Sequence, residues 1–259
     1  MDSRYKKFIT DKFNQTHTYL ENLRRQFSDL CFPRNCIQCA EPAGTGNYQY
    51  LCSSCAETLV LVYPPNCRHC GYPYPHAHHQ PQKCPHCAHL RPAYSRAHCL
   101  CLAKKAGRRI IHQLKYARGL YLYSDIKQII AQRPDLEKIC ADACLVPIPL
   151  HPTKERERGY NQSQIIAQAI KETVHAPLRI DKLLIRTGYT QSQTQLDKAE
   201  RALNVAQAFA LAPGKKLEFD KKYILIDDVF TTGATANACA QVLSQAGLSS
   251  IELITLGHG

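Results

Sequence analysis

The chain has 259 residues, of which 44% are hydrophobic and 21% charged, and its formal net charge is +12. That is room for one large domain or two modest ones with an ample core, and it excludes an intrinsically disordered chain. No segment approaches the roughly 18 consecutive apolar residues that a membrane span requires. The opening MDSRYKKFITDKFNQ also lacks the apolar run of a secretory signal. A cytoplasmic, reducing setting is therefore expected, in which 14 cysteines point to metal or redox chemistry rather than to a disulfide scaffold.

Residues 1–30 form the first predicted segment. Tyr5, Phe8, Ile9, Leu20, Leu23, Phe27 and Leu30 recur mostly at steps of three and four, which predicts an amphipathic helical segment. It either docks on its own protein or lies with its basic face on a membrane or nucleic acid.

Residues 31–92 form the second. Four C-x-x-C pairs follow one another: Cys36/Cys39, Cys52/Cys55, Cys67/Cys70 and Cys84/Cys87. Two thiolates three residues apart on a tight turn can face one ion, and two such turns complete a tetrahedron around zinc. Similar gaps inside the first two and the last two pairs favour sequential pairing into two zinc ribbons. A cross-brace, with the first and third pairs sharing an ion, is the alternative. Two full sets of four thiolates leave no open coordination position, so both Zn²⁺ ions are read as structural. The stretch from Pro64 to Pro92 has too few aliphatics for a sizeable core, and this module is expected to have a core separate from that of the domain after it. Eight thiolates and two Zn²⁺ contribute about −4, which leaves a chain that is still basic at roughly +8.

Residues 93–259 alternate helical and strand-like patterns, as α/β proteins do. Helices are predicted at Arg108–Ala117, Tyr123–Arg133, Asn161–Thr173 and Ala234–Ala246, and strands at Ala143–Pro149, Tyr223–Ile226 and Ser250–Leu256. Strand, turn, helix and strand in this order make a βαβ unit and hence a parallel sheet with right-handed crossover. The main boundary is placed near Leu90 to Tyr94.

The most specific motif is YILIDDVFTTGATANACAQVL, from Tyr223 to Leu243. A buried strand ends in Asp227 and Asp228. Small and hydroxyl residues follow (Thr231, Thr232, Gly233, Ala234, Thr235), and then a helix. A loop at the carboxyl edge of a parallel sheet is where α/β folds bind ligands. Backbone N–H groups at a helix start, with threonine hydroxyls, suit a phosphate monoester. Gly233 would let the backbone come close to that phosphate. Adjacent carboxylates suit vicinal ribose hydroxyls, accepting a hydrogen bond from each. Helix capping needs one acid and leaves the hydroxyl loop unexplained. The motif is neither a Walker loop nor a G-x-G-x-x-G turn.

This stretch resembles the 5-phosphoribosyl-1-pyrophosphate (PRPP) motif of type I phosphoribosyltransferases. Together with VPIPLHPTKERERGYNQSQIIAQAI, LIRTGYTQSQTQLDKAERALNVAQAF and the upstream cysteine pairs, it is similar to the ComF family, which includes ComFC and GntX-type proteins. The resemblance runs from about Cys36 to the end of the chain. It implies an α/β, parallel-sheet phosphoribosyltransferase domain preceded by a double zinc ribbon, and a role in natural transformation. It also assigns the ribose to Asp227 and Asp228 and the 5′-phosphate to Thr231–Thr235, and it makes Arg156, Arg158 and Gly159, after an earlier strand, candidates for holding pyrophosphate. The competing reading of that last segment is a solvated charge run. Lys115 is a further cationic candidate. Arg186, Gln191, Gln195 and Arg201 are candidates for a mobile flap over PRPP.

Three functional classes follow. One is a PRPP-binding competence protein that also binds single-stranded DNA through its excess positive charge and its tyrosines. The second is an active phosphoribosyltransferase that uses Mg²⁺ with PRPP on an unidentified small-molecule acceptor. The third is a structural adaptor that docks other competence proteins through its zinc module.

Overall fold

The computed structural model describes residues 34–44, 46–74, 84–188 and 208–259. The predicted N-terminal helical segment lies outside the described residues.

The first cysteine knuckle contains a single helical turn, α1 (Ser53–Ala56). Strand β1 (Arg96–Leu102) follows the second knuckle. Next come α2 (Lys105–Tyr116), a 3-10 turn at Gly119–Leu122, α3 (Tyr123–Ala131) and α4 (Asp135–Cys140). Strand β2 (Ala143–Pro147) leads into α5 (Pro152–Arg158) and α6 (Gln162–Thr173). After β3 (Arg179–Ile180), strands β4 (Leu184–Arg186) and β5 (Phe209–Leu211) pair antiparallel. The chain closes with β6 (Lys222–Phe230), α7 (Ala234–Gln245) and β7 (Ile251–His258).

The main sheet has five strands in the order β1-β7-β6-β2-β3, and every pair in it is parallel. The predicted α/β class and parallel sheet are therefore observed. All of β2, and Tyr223 to Ile226 of β6, are buried, because helices cover both faces. Alternation along the strands sorts the side chains. Ile224, Ile226, Ile254 and Leu256 join Ile110, Leu114, Ile126, Ile166 and Ile170 of α2, α3 and α6 on one face. Tyr223, Leu225 and Leu253 join Cys239 and Leu243 of α7, with Phe209 of the hairpin, on the other.

The cysteine module does not have its own core, contrary to the expectation above. Cys36, Tyr48, Leu51 and Leu59 belong to the first face's core, and Cys67, Cys70, Cys84 and Cys87 to the second's. A segment too poor in aliphatics to bury itself borrows the sheet's apolar surface. Polar ties fix the docking. The carboxylate of buried Asp125 accepts hydrogen bonds from Gln49 N–H (2.6 Å) and Tyr50 N–H (3.0 Å). Arg109 Nε donates to Ile37 O at 2.7 Å. Val62 N–H donates to Leu100 O and Leu102 N–H to Val60 O, so this segment also covers the outer edge of β1.

Several elements differ from the sequence reading, β1 and α5 among them. Strand β1, RAHCLCL, was not expected, because its cysteines and histidine mask the apolar pattern. The segment after β2 is a helix rather than an open loop. Pro152 at the first helical turn and the His151 ring, which accepts from Thr153 N–H, start it, and left-handed Gly159 (φ 82°) ends it.

Candidate functional site

The acid pair sits inside β6 rather than in the loop beyond it. Consecutive strand residues point to opposite faces, and the two carboxylates have different neighbours. Asp228, 8% exposed, meets Lys115 in the last turn of α2, with Nζ 3.1 Å from Oδ1. Asp227 Oδ1 accepts from its neighbour's backbone, Asp228 N–H (2.9 Å), and from Ser163 Oγ (3.3 Å).

Ser163 is set by a helix cap. Asn161 precedes α6, its Oδ1 accepts from Ser163 N–H, and its Nδ2 donates to Ile148 O just beyond β2. Because β2 and β6 pair in register, Pro147 beside Ile226, their carboxyl ends share one edge of the sheet. Sequence reasoning passed over Ser163, yet Asn161 before an apolar-periodic helix was a readable start signal.

Burial, followed by the charge of Asp228, pushes the Asp227 carboxyl up to about 7, against the opposing pull of Asp228 N–H, Lys115 and Ser163. On the α7 side, the buried Cys239 thiol is pushed well above its ordinary value, first by burial and then by Asp227. Burial lowers the Arg186 guanidinium, while the fields of Cys239 and Asp227 raise it. Arg186 therefore lies near enough to sense Asp227. Its guanidinium is also 5.3 Å from the centre of the Phe209 ring.

The hydroxyl loop turns sharply into α7. Gly233 takes φ 76° and offers no side-chain cap to the 12-residue helix after it; Ala234 N–H makes a long contact of 3.4 Å to Thr232 Oγ1, and further N–H groups of the first turn stay at the sheet edge. Ala234 and Thr235 already belong to that turn. A Cβ on Gly233 would lie 2.6 Å from Phe230 Cζ and 2.8 Å from Leu90 Cδ2. The structure thus gives this glycine a packing reason, a close approach to the protein's own side chains, in addition to the phosphate approach read from sequence.

Leu90 trails the second cysteine knuckle, so that knuckle abuts the loop. Ala93 N–H donates to Asn237 Oδ1 of α7 at 2.8 Å. Tyr72 stacks on His86 at 3.7 Å, and His258 stacks on Phe230 at 5.1 Å while meeting both of those rings edge-on.

Among the described residues two groups have metal-ligand geometry: Cys36, Cys39, Cys52 and Cys55, and Cys67, Cys70, Cys84 and Cys87. This is sequential pairing, not a cross-brace. The sulfur separations Cys39–Cys52 (3.7 Å), Cys67–Cys87 (3.6 Å) and Cys70–Cys84 (3.7 Å) match the edge of a tetrahedron with Zn–S near 2.3 Å, which is about 3.8 Å. Without a cation, thiols this close cannot all ionise. The Cys70 thiol and nearby N–H groups hold Cys67 down to about 4 despite burial, while Cys67 and burial push Cys70 far up. A divalent ion removes that conflict, so both groups fit structural zinc.

Residues 27–88 match the family described as a double zinc ribbon domain. Competence protein F of Haemophilus influenzae is 25% identical over 78% of this chain and 88% of its own length. The DNA utilization protein YhgH of Escherichia coli K12 is 26% identical over 86% of this chain and 96% of its own. Competence protein ComFC of Bacillus subtilis is 35% identical, over 43% of each chain. The chain is thus similar to these competence and DNA utilization proteins, two of them over most of its length, and it carries a double zinc ribbon as the ComF resemblance implies. A hypoxanthine phosphoribosyltransferase from Staphylococcus aureus superposes with a TM-score of 0.35 at 19% identity, over 52% of this chain and 63% of that one, short of two thirds of its length. A likeness that weak carries no argument, and the fold assignment rests on the parallel sheet and the double zinc ribbon.

The structure brings Asp227, Asp228, Lys115 and the Thr231–Thr235 turn to one edge. Lys115 also lines a cavity of about 350 Å³ together with Tyr116, Arg118, Lys154, Glu157, Arg158 and Tyr160. Of the pyrophosphate candidates, Arg158 faces this cavity, Arg156 is not among the lining residues, and Gly159 closes α5. Gln191, Gln195 and Arg201 lie outside the described residues. No helix among the described residues is long and apolar enough to cross a membrane.

Proposed function

We propose that this chain binds PRPP at the carboxyl edge of β6 and β2 and acts, as a cytoplasmic protein alongside other competence proteins, in the handling of single-stranded DNA during natural transformation. The observation that supports the reading most is the acid pair near the end of β6, followed by a short hydroxyl turn into the N-terminus of α7, with Lys115 and Ser163 oriented onto the two carboxylates. Asp227 and Asp228 accept hydrogen bonds from the ribose hydroxyls. The first-turn N–H groups of α7 and the hydroxyls of Thr231, Thr232 and Thr235 surround the 5′-phosphate, aided by the helix dipole. Lys115 and Arg158 offset the pyrophosphate charge. Mg²⁺, held mainly by PRPP oxygens and water, would neutralise the remainder. The competence role follows the names of the relatives above, and the DNA partner follows the +12 charge.

A second reading, phosphoribosyl transfer to a small acceptor, is favoured by a cavity of about 230 Å³ at the end of β2. Pro147, Pro149, Asn161, Gln164, Lys182 and Arg186 are among its lining residues. In that case pyrophosphate leaves the anomeric carbon with its bonding pair as the acceptor's bond forms. The acids orient the ribose, and the cations stabilise the leaving group.

Calorimetry with PRPP and Mg²⁺ tests the binding reading. Replacing both Asp227 and Asp228 with Ala removes hydrogen bonds to charged acceptors worth about 1.5–3 kcal/mol each, so affinity should fall at least about tenfold. Equal affinities in two folded proteins would refute the ribose assignment. Release of pyrophosphate from PRPP with candidate acceptors separates the second reading from the first.

A further inference from the structure

The cavity beside Lys115 has a composition that pyrophosphate binding does not explain. Lys115, Arg118, Lys154 and Arg158 surround it against one acid, Glu157. It is also aromatic. Tyr116 is 68% exposed, an unusual position for a large ring on an otherwise well-packed helix. The Arg158 guanidinium lies 5.4 Å from the centre of that ring, and the His112 ring lies 4.9 Å from it. Tyr160 is pinned, with its hydroxyl donating to Leu114 O at 2.7 Å. A free phosphate needs cations and N–H donors but no exposed ring. A flat, cation-flanked ring amid alternating basic side chains is what successive unpaired bases and their phosphates require. A duplex offers no free base face to a concave site of this size.

We propose that this cavity is the docking point for single-stranded DNA, with a base stacked on Tyr116 and adjacent phosphates on Arg118 and Lys154. The proposal rests on the DNA-handling reading above and gives it a place. Because Lys115 both lines this cavity and pairs with Asp228, the bound strand would run beside the PRPP site.

Fluorescence anisotropy of a labelled oligo(dT) 20-mer on the full-length, zinc-loaded chain tests it. Tyr116→Ala should weaken binding at least about fivefold with the salt slope unchanged, and Tyr116→Phe should retain it. The pair Arg118→Gln and Lys154→Gln should lower the slope of log affinity against log salt by about 1.4, the value for two single-strand phosphate contacts. PRPP calorimetry should not change in these variants. If Tyr116→Ala binds the strand as the unaltered chain does, or if the Gln pair leaves the slope intact, the placement is wrong. Displacement of the strand by inorganic pyrophosphate together with an inert Tyr116→Ala would instead mark the cavity as a phosphate subsite. Failure of the unaltered chain to bind oligo(dT) at low salt would overturn the DNA-handling reading as well. PRPP binding is judged separately, by the acid-pair variant.

Discussion

Replacing Gly233 with Ala separates two reasons for a glycine in the hydroxyl loop. In the structure the residue has φ 76°, and a Cβ there would overlap Phe230 Cζ at 2.6 Å, Phe230 Cε2 at 2.8 Å and Leu90 Cδ2 at 2.8 Å. Left-handed backbone costs an L-residue about 1–2 kcal/mol. Forcing a methyl into a packed site costs about 1–3 kcal/mol more. Phe230 has little room to retreat, because His258 stacks on it. The variant should therefore lose about 2–5 kcal/mol and melt on the order of 10 °C lower. The assay is a thermal melt of zinc-loaded protein without any ligand. Adding Leu90→Ala should recover part of the overlap, and a double-mutant cycle should show a favourable coupling of about 1 kcal/mol. If Gly233 serves only phosphate approach, the ligand-free melting point will stay put while PRPP affinity falls, and the packing argument is refuted.

Further outcomes follow from the same geometry. Elemental analysis should return about two zinc atoms per chain. Cys84→Ser should weaken PRPP binding more than Cys39→Ser, since the second knuckle leads into Leu90, which touches Gly233, and Ala93, which bonds α7; equal losses would mean that the contact transmits nothing. The Asp227 carboxyl has a folded pKa raised to about 7 from an ordinary 3.8. A raised folded value gives stability that is fully present below the unfolded pKa and is lost as pH rises through the folded one. The melting temperature of the unaltered chain minus that of Asp227→Asn should accordingly fall between pH 5 and pH 8, and a flat difference would show that Asp227 titrates normally.

Local signals in the sequence determined a good deal of this protein. Four C-x-x-C pairs named the ligands of both clusters, because thiol spacing on a tight turn is a local property. Helix α6 and strands β2, β6 and β7 were legible because their apolar periods are set by burial on one or two faces. The acid pair and hydroxyl loop were found because strand, turn and helix follow directly in the chain. Other features depended on distant segments meeting. Lys115 on Asp228 and Ser163 on Asp227 join residues from α2, α6 and β6, and no local pattern records such meetings. The choice of sequential over cross-braced cysteines depended on how each knuckle sits on the sheet. A run of alternating charges became helix α5 because a proline start, a histidine cap and a glycine stop outweighed its open-loop look. The shared core was equally hidden. A module with too few aliphatics of its own is completed only by the sheet faces that it covers, and part of the crowding around Gly233 comes from Leu90, a side chain from that same module, beside Phe230 of β6.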